Sequence, residues 1–178
     1  MIRFVVNNYY NFKNRHDVRI LDLGCGAGGN IWYLSREGFD SFGVDGSPSS
    51  VTRTLEKLKN ENLSADIQVS DFSCLPYEDK FFDCVIDAAS IQHNDEATTH
   101  KIISEIYRVL KNGGKFFGMM LQSDKDMSEK EFYTHYTGDE HVYEIFNKFK
   151  DIELNFNTYT ENNRDNYIKF NLVSAKKN

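Results

Sequence analysis

A chain of 178 residues with 40% hydrophobic and 14% aromatic content is long enough to bury one domain's core and too apolar for a disordered segment. A formal net charge of −6 argues against nucleic acid or an anionic membrane as the main partner. Three cysteines, Cys25, Cys74 and Cys84, form no C-x-x-C and no disulfide framework, which points to reduced thiols and a cytoplasmic setting. No apolar run approaches the ~20 residues of a membrane span, and the first ten residues are too short and too polar for a signal peptide.

Residues 1–17 carry Ile2, Phe4, Val5, Val6, Tyr9, Tyr10 and Phe12 among four asparagines, the pattern of a short amphipathic helix. The stretch 18–29, VRILDLGCGAGG, organises the rest. Ile20, Leu21 and Leu23 predict a buried strand, which breaks at Gly24, Gly26 and Gly28 into a turn whose backbone can come close to a ligand. A helix starting near Gly28 and Asn30 would point its free N–H groups and positive dipole end at that ligand. Two cofactor patterns fit: G-x-G-x-x-G on Gly24, Gly26 and Gly29, and D/E-x-G-x-G-x-G on Asp22, Gly24, Gly26 and Gly28. Asp22 favours the second, because a carboxylate there suits the ammonium of an amino-acid-bearing ligand and would repel a pyrophosphate. Cys25 is read as a small residue that fits the turn rather than as a nucleophile.

A helix is expected over 30–37, with Ile31 and Leu34 on one face and Gly38 as C-cap. The second strand, 41–44, ends at Asp45, nineteen positions after Gly26 and close to the ~20-residue spacing at which an acidic residue meets ribose hydroxyls. Gly46 follows, then Ser47-Pro48, an N-cap with proline at N1, and a helix to about residue 60 whose buried stripe is Val51, Leu55 and Leu58. A third strand over 65–69 ends in Ser70-Asp71-Phe72, and a loop with Pro76 leads to an apolar fourth strand over 81–87. Beyond it lie Ala88, Gln92 and His93, where ligands of open α/β sheets bind. His93, with an unperturbed pKa of ~6.5, suits proton transfer at neutral pH; the competing reading is a structural hydrogen bond that holds the loop.

Ile102, Ile103, Ile106 and Leu110 mark a helix over 95–110, and the segment 108–114, RVLKNGG, stops it before a fifth strand over 115–121. Residues 122–137 carry Phe132, Tyr133, His135 and Tyr136 and a capping-box pair, Ser128 and Glu131, which suits either a substrate wall or an excursion whose aromatics cover the core. A second pair, Thr137 and Glu140, opens a helix with Val142, Ile145, Phe146 and Phe149. Two alternating strands close the chain as an antiparallel pair, one with Ile152, Leu154, Phe156 and Thr158 and one with Ile168, Phe170 and Leu172, joined by a polar turn over 161–166.

Five features in order, the Asp22 to Gly28 turn, Asp45, Asp71-Phe72, Phe82-Asp83 and the 108–114 segment, give a chain that resembles the class I (Rossmann-like) S-adenosylmethionine (SAM)-dependent methyltransferases of small-molecule type. The motifs cover about 18–121; the tail agrees only in its pattern of elements. The resemblance implies one α/β domain over 1–178, a three-layer αβα sandwich on a mostly parallel seven-stranded sheet of order 3-2-1-4-5-7-6 with an antiparallel last strand. It implies SAM as cofactor, S-adenosylhomocysteine as product and no metal. Its cofactor positions fall on Asp22, Gly24, Cys25, Gly26, Gly28, Asn30, Asp45, Gly46, Ser47, Asp71, Phe72, Asp87 and Ala88, with Asp71 reaching the adenine amino group and the Phe72 N–H a ring nitrogen. Acceptor positions fall on Gln92, His93, Tyr133 and Tyr136.

The reaction implied is in-line transfer of the sulfonium methyl to an oxygen or nitrogen of a small-molecule acceptor. Three departures stand out: Asn112 replaces the family's proline, Gly46 replaces a larger apolar residue that packs on adenine, and only about 18 residues precede the first strand. That short extension implies an open site, a site covered by a partner subunit such as a second copy, or a shortened member of the family. Two other readings remain: a SAM-binding module of low intrinsic activity that needs a partner, and an NAD-dependent oxidoreductase using Gly24, Gly26 and Gly29.

Overall fold

The computed structural model describes residues 1–122, 138–160 and 167–178. Phe132, Tyr133, His135, Tyr136, the Ser128–Glu131 pair and the polar turn over 161–166 lie outside those residues. Seven strands form one sheet: β1 Arg19–Leu23, β2 Asp40–Asp45, β3 Asp66–Val69, β4 Phe82–Ala88, β5 Leu110–Gln122, β6 Lys150–Thr160 and β7 Tyr167–Lys176. Their order is β3-β2-β1-β4-β5-β7-β6, as expected. The first five pair in parallel, and β7 runs antiparallel to both β5 and β6.

Period-two alternation sends side chains of β1 to opposite faces. Ile20 joins Val5 and Tyr9 of α1 (Ile2–Tyr9), Leu34 of α2 (Gly29–Arg36), Cys84 and Ile86 on one face. Leu21 and Leu23 join Ile102, Ile103 and Ile106 of α4 (Glu96–Val109) and Val142 and Ile145 of α5 (Asp139–Ile145) on the other. The third helix, α3 (Pro48–Asn60), buries Val51 and Leu58 against Cys25, Ile31 and Ile67. Helix starts follow the sequence: Ser47 Oγ accepts from Ser50 N, and Asp95 Oδ1 accepts from Thr98 N at 2.7 Å.

Polar ties lock the strand connections. Asp83 Oδ2 accepts from Arg19 N at 2.9 Å and from Lys111 Nζ at 2.7 Å, joining β1, β4 and β5. Arg108 donates to Leu75 O, Tyr77 O, Glu105 and Asp79, fastening the loop before β4 to α4. Buried Lys177 donates to the carbonyls of Tyr107, Arg108 and Leu110 at the end of α4.

Four local expectations are corrected. Leu55 is 45% exposed, and Thr54, fully buried, takes its place on the inner stripe of α3. The buried face of β7 is Asn171, Val173 and Ala175 rather than Ile168, Phe170 and Leu172. The register decides this, setting Val173 beside Gly118 and Ala175 beside Phe116 on the face that α4 and α5 cover. β5 begins at Leu110, not 115, because 111–114 loop out between the pairs Phe82–Leu110 and Cys84–Lys115. Gly138 is the N-cap of α5, with no side-chain cap bond, in place of the expected Thr137, which lies outside the described residues. No described helix is long and apolar enough to cross a membrane.

Candidate functional site

The site is built where β1, β2 and β4 end. Leaving β1, the chain folds over β2, and Val44 O accepts from Gly24 N at 2.8 Å and Cys25 N at 3.0 Å. Gly24, Gly26 and Gly28 all have left-handed φ, 71°, 53° and 73°. A Cβ on Gly24 would lie 2.0 Å from Ser90 Oγ, and one on Gly28 would lie 2.7 Å from Thr54 Cγ2. Gly29 has no such φ, and a Cβ there would meet open space. The glycines the turn requires are therefore those of D-x-G-x-G-x-G, which resolves the ambiguity in spacing against the dinucleotide pattern.

Three aspartates stand at the three strand ends, each with different partners. Asp45 bridges the turn to α3: Oδ2 accepts from Gly26 N at 2.9 Å and Oδ1 from Ser47 N at 2.8 Å. Asp22 is fully buried; Oδ1 accepts from Asn30 Nδ2 at 3.2 Å, and Oδ2 has no partner among the described residues. Burial pushes the Asp22 carboxyl up to about 7; the Asn30 bond opposes this and neighbouring Asp45 adds to it. Asp87, also fully buried, caps the next turn through Oδ1, which accepts from Ser90 N at 2.9 Å and Ile91 N at 3.3 Å, while Oδ2 has no partner among the described residues. Burial lifts Asp87 to about 7 as well. Burial also pushes the Cys25 thiol up to about 12, so it stays protonated and inert at neutral pH, as its reading as a space-filler requires.

The remaining expected residues are distributed unevenly. Gly46 is exposed, with open space where a side chain would stand, and Ser47 is the N-cap of α3. Asp71 is exposed, and its Oδ1 accepts from both the N–H and the hydroxyl of Ser73 at 2.8 Å, which hold its carboxyl below the usual range. Phe72 packs on the core, and its Cζ lies 3.5 Å from where a Gly24 Cβ would be. Ala88 is exposed at the end of β4. Gln92 is buried, and its Oε1 accepts from Leu121 N at 2.7 Å, tying the short 3-10 turn Ile91–His93 to β5. That oxygen is engaged in the fold, whereas His93 is exposed and its imidazole makes no hydrogen bond to a described residue.

Two residues were missed. Thr54 donates from Oγ1 to Gly26 O at 2.8 Å, and Ser90 packs on Gly24. Thr54 carried a signal, since 51, 54 and 58 is as good a helical stripe as 51, 55 and 58. Ser90 carried none, because its contact spans 66 positions in sequence. Among the described residues no group of three or more His, Cys, Asp or Glu could hold a metal.

Residues 20–114, just over half of the chain, match the family described as "Methyltransferase domain". The chain belongs to that family. It is a methyltransferase domain by family, and its fold is that of the class I SAM-dependent methyltransferases. A sterol 4-C-methyltransferase of Caenorhabditis elegans is 33% identical over 121 residues, 66% of this chain and 36% of that protein. A phosphoethanolamine N-methyltransferase of the same organism is 33% identical over 129 residues, 68% of this chain and 29% of that protein. The chain thus spans about a third of the length of these two relatives. Among solved structures, a SAM-dependent methyltransferase of Methanosarcina mazei superposes with a TM-score of 0.79 at 21% identity, covering 97% of this chain and 96% of that one.

Proposed function

We propose that the ends of β1, β2 and β4 hold SAM and that the protein transfers its methyl group to an oxygen or nitrogen of a small-molecule acceptor. Asp22 carries this reading. A fully buried carboxylate with one oxygen unpartnered is costly to ionise, and the ammonium of an amino-acid-bearing cofactor is the cation that would offset the cost. Asn30 fixes the orientation of the carboxylate from α2. The turn of Gly24, Cys25, Gly26 and Gly28 offers backbone at close approach. Asp45 accepts one backbone bond at each oxygen, and each oxygen keeps a second lone pair for a ribose hydroxyl. Gly46, Ser47, Asp71 and Phe72 then face the adenosine end, and Asp87 with Ala88 borders the methyl end.

When bound, SAM supplies an electrophilic methyl on a sulfonium leaving group. The chain's own task is alignment, which can supply up to roughly 7–11 kcal/mol. His93, exposed and with its imidazole bonded to no described residue, would take the proton of an alcohol or ammonium acceptor. The net charge of −6 and the relatives named for sterol and phosphoethanolamine support a small-molecule acceptor. Tyr133 and Tyr136 are proposed to complete its wall, and a second copy to cover the site.

Calorimetric titration of SAM into wild type and Asp22→Asn, followed by transfer of labelled methyl to a panel of small amines, alcohols and sterols, tests the reading. Micromolar binding lost in a folded variant, with label on a small molecule, supports it. Label carried only to protein or RNA would overturn the acceptor class, and no binding to wild type would overturn the site.

A further inference from the structure

The glycine turn is gripped at its middle from two sides. Gly26 N–H donates to Asp45 Oδ2 at 2.9 Å, and Gly26 C=O accepts from Thr54 Oγ1 at 2.8 Å. These groups belong to the two peptide units on either side of the Gly26 α-carbon, so together they fix its left-handed φ of 53°. Glycine is the residue with most freedom to lose, and an unsupported turn would sample many other conformations. Thr54 also closes the turn sterically, since its Cγ2 lies 2.7 Å from where a Gly28 Cβ would stand. It is fully buried on an inner helix stripe otherwise made of Val51 and Leu58, so a hydroxyl there is not required for packing.

We propose that Thr54 is a positioning residue for the cofactor: from α3, its hydroxyl holds the Gly26 carbonyl and keeps the turn in its binding form before the cofactor arrives. The inference rests on the proposed placement of SAM at this turn. Thr54 touches no reacting atom; it acts through the backbone that approaches the ligand. A ligand that must first order a loose turn binds more weakly by the fraction of time the turn is correctly formed.

The test is calorimetric titration of S-adenosylhomocysteine into wild type, Thr54→Val and Thr54→Ser, with backbone amide exchange at 24–28 measured in the ligand-free proteins. Valine keeps shape and burial but removes the hydroxyl; serine keeps the hydroxyl and removes the methyl. The expected result is affinity weaker by about tenfold in Thr54→Val, with faster exchange across the turn, and affinity within about twofold of wild type in Thr54→Ser. Wild-type affinity and exchange in Thr54→Val would overturn the proposal. Equal weakening in both variants would also overturn it, assigning Thr54 to packing alone. Absence of binding to wild type would overturn the placement of the cofactor itself, and this inference with it.

Discussion

Replacing Asp22 with asparagine separates what the buried carboxylate costs from what it is there to do. Burial raises Asp22 from 3.8 to about 7. That is about three pH units at roughly 1.4 kcal/mol each, so ionised Asp22 costs the ligand-free fold on the order of 4 kcal/mol above pH 7. The substitution removes the charge but puts an amide nitrogen where Oδ2 has no partner, which returns about 1–3 kcal/mol. The net is a gain of about 1–3 kcal/mol, or roughly 2–12 °C in Tm for a chain of this length. The sign depends on pH. The folded state keeps a proton that the unfolded chain releases between pH 3.8 and about 7. Wild-type stability therefore falls as pH rises through that window, and the advantage of Asp22→Asn grows through it. Scanning calorimetry at pH 5 and pH 8, with and without saturating SAM, reads both effects. The variant should melt higher than wild type at pH 8, the difference should shrink at pH 5, and only wild type should be stabilised by SAM. An Asp22→Asn variant that is less stable than wild type at pH 8, or that binds SAM with wild-type affinity, would refute the reasoning.

His93→Ala should leave SAM affinity and Tm unchanged, because the imidazole is exposed and bonded to no described residue; a kcat lowered about 10²-fold or more, recovering as pH rises, would mark it as the base, and unchanged turnover would retire that role. Gly24→Ala should cost about 3 kcal/mol or more, since it combines a left-handed φ of 71° with a methyl 2.0 Å from Ser90 Oγ. Gly46→Ala meets open space without a left-handed φ, and urea melts should find it within about 0.5 kcal/mol of wild type. Lys177→Met keeps the side-chain stem but removes the charged donor to the carbonyls of Tyr107, Arg108 and Leu110, of which Arg108 O still accepts from Lys80 N. Urea unfolding should show a loss of about 2–4 kcal/mol, with SAM affinity retained in the folded fraction.

The parallel core was legible because its signals are local. Ile20, Leu21 and Leu23 sit next to the glycines that end their strand, and Asp45 lies one βαβ unit downstream, a spacing the fold fixes. What was hidden depends on contacts between distant segments. On α3, a threonine and a leucine compete for one inner position, and the choice of Thr54 follows from the notch at Gly28, 26 positions away in sequence. On β7, apolar residues occupy both faces, and only the register against Phe116 and Gly118 shows that Val173 and Ala175 are the buried pair. The same limit applied to Gln92. It looked free for an acceptor, yet its carbonyl oxygen is bonded to Leu121 N, a partner 29 positions away.

The three strand-end aspartates show how one residue type can be given three tasks. Sequence places all of them at the mouth of the sheet and, from spacing, points Asp22 to an ammonium and Asp45 to ribose hydroxyls, but it does not show how each oxygen is already engaged. Their partners do. Asp45 spends one lone pair of each oxygen on Gly26 and Ser47 and remains half-exposed, with lone pairs left to accept from neutral hydroxyls. Asp87 uses one oxygen to cap the Ser90–Ile91 turn with two backbone N–H groups, which orients the segment leading to His93, and leaves its other oxygen bare. Asp22 has one side-chain donor, Asn30, and an oxygen left bare in the interior. A protein under selection for stability alone would not keep such oxygens unpaired, and of the three Asp22 has the fewest partners among the described residues, one donor against two for Asp45 and for Asp87, so it is the one best explained by a partner the fold does not contain.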